Sequence, residues 1–483
     1  MTEEYRRTHP CTVFMHLKIS VLLLLVPLVQ QLFYRPQDIF EIIGTMSLNT
    51  FYALSVVGYA VYSYRRYTYK LVPHGIEVKK GLFIQQYFTL PYEKIQTVNI
   101  YKDMLASFFG ACKVSLDSPG GTSRAYDISA FFSKKYTSLL MERLNNGEKE
   151  KAIYRSNNFS MLLMCAFWSN PAAGLLFISP FISKLGNAAS NEIRNILYNS
   201  MNIVWEKIAI GISPLAATIA NILIVGWAIA VLLEFSRYGK FSASRIGKYI
   251  VVSRGIFNRS ITYTRADRIA AITVNQSLLM RILGLYSSGI FTIGAGKLKG
   301  DKSLVIAAEK REKMYNSLNR IVKVSPKELQ SVRPKSNTLY SYVCLPLWIT
   351  AAIMLVLMAA DYVSEIDELF KVIMIFTLIP LVWWIMFRIF AHRHSHLAIN
   401  KRFLIVCGYQ KWTMQKYFIP FERVQYITVT QNILQKRKGT CNVKVYLYYE
   451  KRAYHTVKHI SKEKADEIAA FAQNRKVKSI HNS

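Results

Sequence analysis

The distribution of apolar residues constrains this chain more than any other feature. Six long apolar stretches run over residues 17–34, 39–61, 161–183, 208–234, 342–360 and 371–390. They come in three pairs, and a long basic stretch follows each pair. A bilayer core about 30 Å thick needs about 20 apolar residues in a helix. The pattern therefore predicts six transmembrane helices in three hairpins. The stretches between them alternate apolar and polar residues, a period of two that predicts β-strands. The expected order is a transmembrane hairpin over 1–64, a β domain over 65–158, a hairpin over 159–236, a β domain over 237–335, a hairpin over 336–392 and a β domain over 393–483. The fold class this implies is membrane α + β, each hairpin followed by a small β-sandwich or half-open barrel with a C-terminal helix.

Charge follows the same division. Lys and Arg outnumber Asp and Glu 62 to 29, while 52% of residues are hydrophobic. The hairpin regions 1–61, 159–234 and 341–387 carry 0, 0 and −3 charges, and the stretches 62–158, 235–340 and 388–483 carry +7, +15 and +14. Arg65 and Arg66, Arg237 and Lys240, and Arg388 and Arg393 stand just after the second stretch of each pair. Positive charge near span ends marks the cytoplasmic side. The β domains and both termini are thus expected inside, with loops near 35–38, 184–207 and 361–370 outside. Arg6, Arg7 and Lys18 precede the first stretch as in a signal peptide, but no small-residue cleavage site closes it, so a retained anchor is expected. The cysteines at 11, 112, 165, 344, 407 and 441 form no C-x-x-C and no zinc spacing.

The basic stretches repeat one another. Each opens with alternating residues around a glycine: GIEVKKGLFIQQYFTL, KYIVVSRGIFNRSITYT and RFLIVCGYQKWTMQKYFI, with turns expected at Gly81, Gly255 and Gly408. The segments LPYEKIQTV, TRADRIAAI and IPFERVQYI follow, aligning Pro91 with Arg265 and Pro420, and Ile95 with Ile269 and Val424. Fifteen residues beyond that aliphatic position stand Gly110, Gly284 and Gly439. Strand-like runs and then helix-like runs near 129–145, 303–323 and 461–475 close each copy. Ile95, Ile269 and Val424 are expected to point into their cores.

The hairpin, the P-x-x-(K/R)-(I/V)-Q segment and the downstream glycine resemble the bacterial pleckstrin-homology-like (PH-like, bPH2 or DUF304) membrane domain. The likeness is strongest at Gly81, Pro91, Lys94, Ile95, Gln96, Phe109 and Gly110, and at Gly408, Pro420, Arg423, Val424, Gln425 and Gly439. The middle copy departs from it, with Arg265 for the Pro and Ala270 for the Gln. The resemblance implies PH-like β domains, a cell-membrane location and a shorter single-unit companion protein of the same family. It carries over no active site.

No nucleophile–base set, G-x-S-x-G or H-E-x-x-H occurs, so no catalytic, cofactor or metal residue is expected. The tract His392-Arg393-His394-Ser395-His396 reads as a basic collar, lacking a local Cys or carboxylate to complete a metal site. The run ending at Lys297 fails the phosphate-loop spacing. Lys79 and Lys80, Arg254 and Arg259, and Lys411 and Lys416 mark the three hairpins without sharing a phosphoinositide-binding pattern. Arg65, Arg66, Lys248, Arg254, Arg259, Arg388 and Arg393 are the expected basic residues facing membrane or partner. The predicted function is a non-enzymatic, multi-pass membrane scaffold with three cytoplasmic domains, serving cell-envelope maintenance or antimicrobial and stress defence. Its partners would be anionic lipids held without specificity, the companion, or further copies in an oligomer, and not nucleic acid. A transporter or channel component is the alternative.

Overall fold

The computed structural model describes residues 5–13, 17, 39–81, 84–118, 127–145, 152–169, 214–292, 303–363, 367–410, 413–447 and 454–481. They form two compact units, one of Met1–Ala152, Ser244–Arg268 and Gly294–Gly300, the other of Ile153–Ala243, Ile269–Ile293 and Asp301–Ser483.

In the first unit, β1 (Arg6–Arg7), β2 (Thr68–Val72), β3 (Gly75–Lys80) and β4 (Gln86–Pro91) form one antiparallel sheet in that order. A second sheet is built from β5 (Thr97–Lys102), β6 (Ala111–Asp117) and β7 (Ile128–Ser133). Period-two alternation puts Ile76, Val78, Val98, Ile100, Val114 and Leu116 into a shared core. The helix Lys134–Asn145 covers that core with Leu140, Met141 and Leu144. The second sheet does not end with the first repeat. On the far side of β5 lie β11 (Arg259–Arg265) and β10 (Tyr249–Arg254) of the middle repeat, continued by β9 (Ser242–Ile246), in the order β7-β6-β5-β11-β10-β9.

The second unit repeats this construction. β8 (Ala152–Arg155) leads into the helix Asn158–Trp168. The sheet order β14-β13-β12-β18-β17-β16-β15 joins β12 (Ile269–Ser277), β13 (Leu285–Thr292) and β14 (Ser303–Lys310) of the middle repeat to β18 (Thr413–Pro420), β17 (Phe403–Gln410) and β16 (His396–Ile399), with β15 (Gln330–Val332) at the edge. A three-stranded sheet, β19 (Val424–Thr430), β20 (Thr440–Leu447) and β21 (Tyr454–Ser461), faces the third repeat's core. The helix Lys462–His481 closes that core with Ala465, Ile468 and Ala472.

The two joints between repeats share one register. In the first, Val98 faces Tyr263, and in the second, Ile272 faces Phe418. Val98 and Ile272 lie three residues beyond Ile95 and Ile269, and Tyr263 and Phe418 lie two before Arg265 and Pro420. The same backbone offset is thus used twice.

One expectation is corrected. The structure is built mainly from β-sheets, and six transmembrane helices are not what it shows. Among the described residues one helix, Ser336–Tyr362, is long and apolar enough to cross a membrane, by length and composition, and 11% of its apolar window is buried. Helix Ile39–Arg66 carries Glu41, Asn49 and several Ser and Thr among its apolar residues. Residues 18–34, 170–183 and 208–213, also read as span, lie outside the described residues, as do the loop residues 35–38, 184–207 and 364–366. The middle repeat gives strands to the sheets of both neighbours.

Candidate functional site

The repeated residues have structural assignments that differ from one another. Gly81 and Gly255 hold φ of +130° and +106°, and a Cβ there would meet the carbonyl oxygens of Ile84 and Asn258 at 1.9 and 2.0 Å. Only glycine tolerates that approach. Gly408 does not make the third turn; it lies within β17, opposite Gln415, and the residues joining β17 to β18, Lys411 among them, lie outside the described residues. Gly110, Gly284 and Gly439 hold φ of +71°, +65° and +60°. Each ends a short helix, donating its N–H to the carbonyl three residues earlier. Ile95, Ile269 and Val424 are buried. Arg265 stands where the other copies have Pro91 and Pro420. Its N–H donates to the Gln96 carbonyl at 3.0 Å, which proline could not do. Its guanidinium donates to the Glu93 carbonyl and to Asp267 at 2.7 and 3.1 Å.

The third repeat contains a half-open cavity of about 260 Å³ beside the first turns of the apolar helix Leu339–Val363. Tyr342, Tyr409, Gln415, Tyr417, His455 and Lys458 are among the residues lining it. Two helices and three strands fix the wall. Tyr342 donates its hydroxyl to the Lys458 carbonyl at 3.0 Å, and Arg388 Nε donates to the Tyr342 carbonyl at 2.9 Å. The Arg388 guanidinium lies over the Tyr409 ring at 5.0 Å and over the Tyr342 ring at 5.8 Å. Tyr417 and His455 stack with centroids 3.5 Å apart. Burial lowers the His455 pKa to about 4, so its imidazole is neutral at pH 7. Desolvation lowers the Lys458 pKa, and the positive charges of Arg388 and Lys444 lower it further. Among the described residues no carboxylate pairs with Arg388 or Lys458. A lysine on an aromatic wall, with an arginine over two of its rings and acting on the lysine's charge, makes a place suited to an anion. Arg388 was legible in the sequence as a residue after an apolar stretch. Lys458, Tyr417 and His455 were not, because strand residues converge only when two sheets pack.

A second, wider groove of about 950 Å³ lies in the first unit, with His74, Arg143, Lys248, Arg265 and Arg268 on its walls beside Glu93. Lys248 is thus at a groove, whereas Arg259 bonds Ser253 across its own hairpin at 2.9 Å. Arg254 is half-buried at the end of β10, Arg65 and Arg393 are exposed, and Arg66 donates to the Tyr62 hydroxyl. The histidine tract goes to separate partners: His392 to the Lys335 carbonyl, His394 to Arg281 and His396 to Glu328. No group of three potential metal ligands occurs among the described residues. Lys297 lies outside them.

The short helices that precede the positive-φ glycines also share a surface character. Met104, Phe108 and Phe109 are exposed in the first repeat, Leu279, Ile282 and Leu283 in the second, and Ile433 and Leu434 in the third. Each lies near an end of an apolar segment. Ala106 packs with Cys11, Arg281 lies over Phe390 at 5.4 Å, and Lys335 donates to the Lys438 carbonyl at 3.4 Å.

Tandem antiparallel sheets, each copy closed by a helix and joined to apolar helices, define a PH-like β module carried on a membrane-type helix. The sequence profile described as Bacterial PH domain matches residues 21–145, 205–321 and 344–476, and the chain belongs to that family. A relative in Bacillus subtilis (strain 168), UPF0699 transmembrane protein YdbT, is 22% identical over 324 residues, 61% of this chain. The alignment spans 64% of that relative, a little under two thirds of its length.

Proposed function

We propose that this protein is a non-catalytic membrane scaffold whose PH-like domains lie on the cytoplasmic, anionic leaflet. In this reading the third repeat seats a phosphate-bearing lipid headgroup. The supporting observation is the cavity beside helix Ser336–Tyr362, lined by Lys458 and tyrosines, with Arg388 over the rings of two of them, Tyr342 and Tyr409. Lipid phosphates lie at the depth where an apolar helix leaves the bilayer, and tyrosine suits that level. Each Lys or Arg near such a surface contributes about 1 kcal/mol. The name of the Bacillus relative, a transmembrane protein, supports a membrane location. Envelope maintenance or stress defence is the physiological setting we propose for such a scaffold.

Native mass spectrometry of the full chain, extracted in mild detergent with phosphatidylglycerol and phosphatidylcholine, tests the headgroup. The expected result is selective retention of phosphatidylglycerol that falls about thirtyfold in the Arg388→Gln, Lys458→Ala double variant, two cations being lost. Equal retention of the two lipids, or an unchanged ratio in the variant, would overturn the headgroup site. Orientation is tested separately. A cysteine at Tyr362, 93% exposed, should react with an impermeant maleimide on intact cells, and one at Lys335 should not.

A further inference from the structure

The two joints between repeats follow a rule, and the rule leaves two ends unused. In each joint the strand that begins at the repeated aliphatic residue or two residues after it pairs with the strand that ends at the next repeat's Pro or Arg position: β5 with β11, and β12 with β18. The third repeat has the first kind of strand, β19, with β20 as its sheet neighbour, on one side only. The first repeat has the second kind, β4, with β3 as its neighbour, again on one side only.

Exposure shows what β19 lacks. Thr97 and Ala271 are 2% and 0% exposed, and Tyr426 at the same repeat position is 47% exposed. One residue on, Val98 and Ile272 are buried while Ile427 is half-exposed, and two further on the same holds for Ile100, Val274 and Val429. Where two copies are covered by the next repeat, the third is open. The open edge carries neither charge nor internal proline, and its bulge between Val424 and Tyr426 matches the one between Ile269 and Ala271 in β12, which pairs with β18 all the same. β19 reads VQYITVT, with no charge and no proline, and β4 reads QYFTLP, uncharged and with its one proline at the end. Edge strands that must stay single usually carry a charge, a proline or a bulge that prevents pairing.

We infer that β19 of one molecule pairs antiparallel with β4 of a second copy of this chain, extending head to tail the joint already made twice within it. The occupant is a second copy because the chain carries both halves of that joint, each the end strand of its sheet among the described residues. The register follows from the internal ones: Ile427 opposite Thr89, Tyr426 opposite Leu90 and Thr428 opposite Phe88. The contact is heterologous, so it generates rings or strings of molecules in the membrane plane, not closed twofold dimers. Main-chain hydrogen bonds would supply affinity and the side-chain match would supply register.

The test is disulfide trapping in membranes between two differently tagged full-length chains, one with Thr89→Cys and the other with Ile427→Cys. The chain with only its native cysteines, all buried except Cys344, is the background control. Mild oxidation should give a doubly tagged dimer at least tenfold above an off-register pair, Tyr87→Cys with Ile427→Cys. Flanking cysteines at Phe88 and Thr428 serve as a second in-register pair. In a separate measurement, Thr428→Lys, which puts a charge on the open edge, should shift detergent-extracted protein from multiples of the chain mass toward the monomer by mass photometry. A dimer yield no higher than the off-register pair would overturn the inference. So would a disulfide closing within one doubly substituted chain, or trapping of a different protein at position 427 without self-pairing.

Discussion

At the residue scale, glycines aligned by sequence alone separate into kinds that substitution should distinguish. Gly81 combines a positive φ with a carbonyl oxygen 1.9 Å from where a Cβ would stand, whereas Gly110, at φ +71°, has nothing within 4 Å. Gly81→Ala is expected to cost roughly 2–3 kcal/mol, since strain and collision combine, and Gly110→Ala roughly 1 kcal/mol from backbone strain alone. Thermal unfolding in detergent should rank them in that order. A second residue-scale prediction concerns Glu328, which accepts from His396 at 3.1 Å and from Lys416. The His396 hydrogen bond, with Lys416, outweighs burial and lowers the Glu328 pKa to about 2. Burial alone would lower His396, but its hydrogen bonds to Cys407 and Glu328 raise it to about 10. The depressed carboxylate contributes stability above its ordinary pKa of 4.5 and loses it as pH falls toward 2. The raised imidazole contributes fully below 6.5 and loses its contribution as pH rises through about 10. Melting temperature should therefore be highest between those ordinary values and fall on both sides. Glu328→Gln should flatten both flanks, and an unchanged profile would show that the cluster does not couple to folding.

At the element scale, the middle repeat's departure from the family pattern has a structural reason. Arg265 pairs its N–H with Gln96 and holds the Glu93 carbonyl, so it fastens β11 to the turn that precedes β5. Arg265→Pro removes a donor and a guanidinium clamp together and is expected to destabilise the first unit by roughly 2–3 kcal/mol. Arg265→Lys keeps the N–H and should recover part of that loss. Limited proteolysis near residues 90–100 would report it. The short helices before the glycines are elements of another kind, since their large apolar side chains are not spent on a core. Asn432 caps the third of them, its side chain accepting from the Gln435 N–H at 3.0 Å while the Gln435 side-chain oxygen accepts from the Asn432 N–H at 3.1 Å. Asn432→Ala should cost about 1 kcal/mol. On a membrane, Phe108→Asp, Ile282→Asp and Ile433→Asp should each leave the fold intact and reduce quenching of a nearby fluorophore by brominated lipid, because exposed apolar side chains beside helix ends suit the interface.

At the scale of the whole molecule, pairing between repeats makes stability collective. β5 and β12 are interior strands with a partner on each side, and β19 is an edge. Hydrogen exchange should show it: amides across β5 and β12 should be protected together, while alternate amides of β19 exchange faster in dilute monomer. If molecules join through β19 and β4, those amides should slow as protein concentration in the bilayer rises. Uniform protection of β19 in the dilute monomer would mean that some other segment covers it. The same organisation explains why the second repeat tolerates a weak match to its neighbours' motif. Its two halves are held by β5 on one side and β18 on the other.

Much of the local design was legible in the chain. Period-two alternation marked the strands, and the spacing from Ile95 to Gly110 recurred from Ile269 to Gly284 and from Val424 to Gly439. Both signals are set by backbone geometry, which acts over a few residues and leaves its trace in residue order. The apolar count predicted six spans, and among the described residues one helix, Ser336–Tyr362, meets the length and composition of a span. The pairing of β5 with β11 and of β12 with β18 was not legible, since a strand's pattern tells which face is buried but not which strand lies beside it. Nor was the cavity, because Tyr342, Arg388, Tyr409 and Lys458 come from four elements with no common motif. Residue order determined what each repeat is, through side-chain periodicity and glycine φ. Tertiary structure alone decided which strands meet and which edges stay open, because backbone hydrogen bonds carry no side-chain signature of their partner.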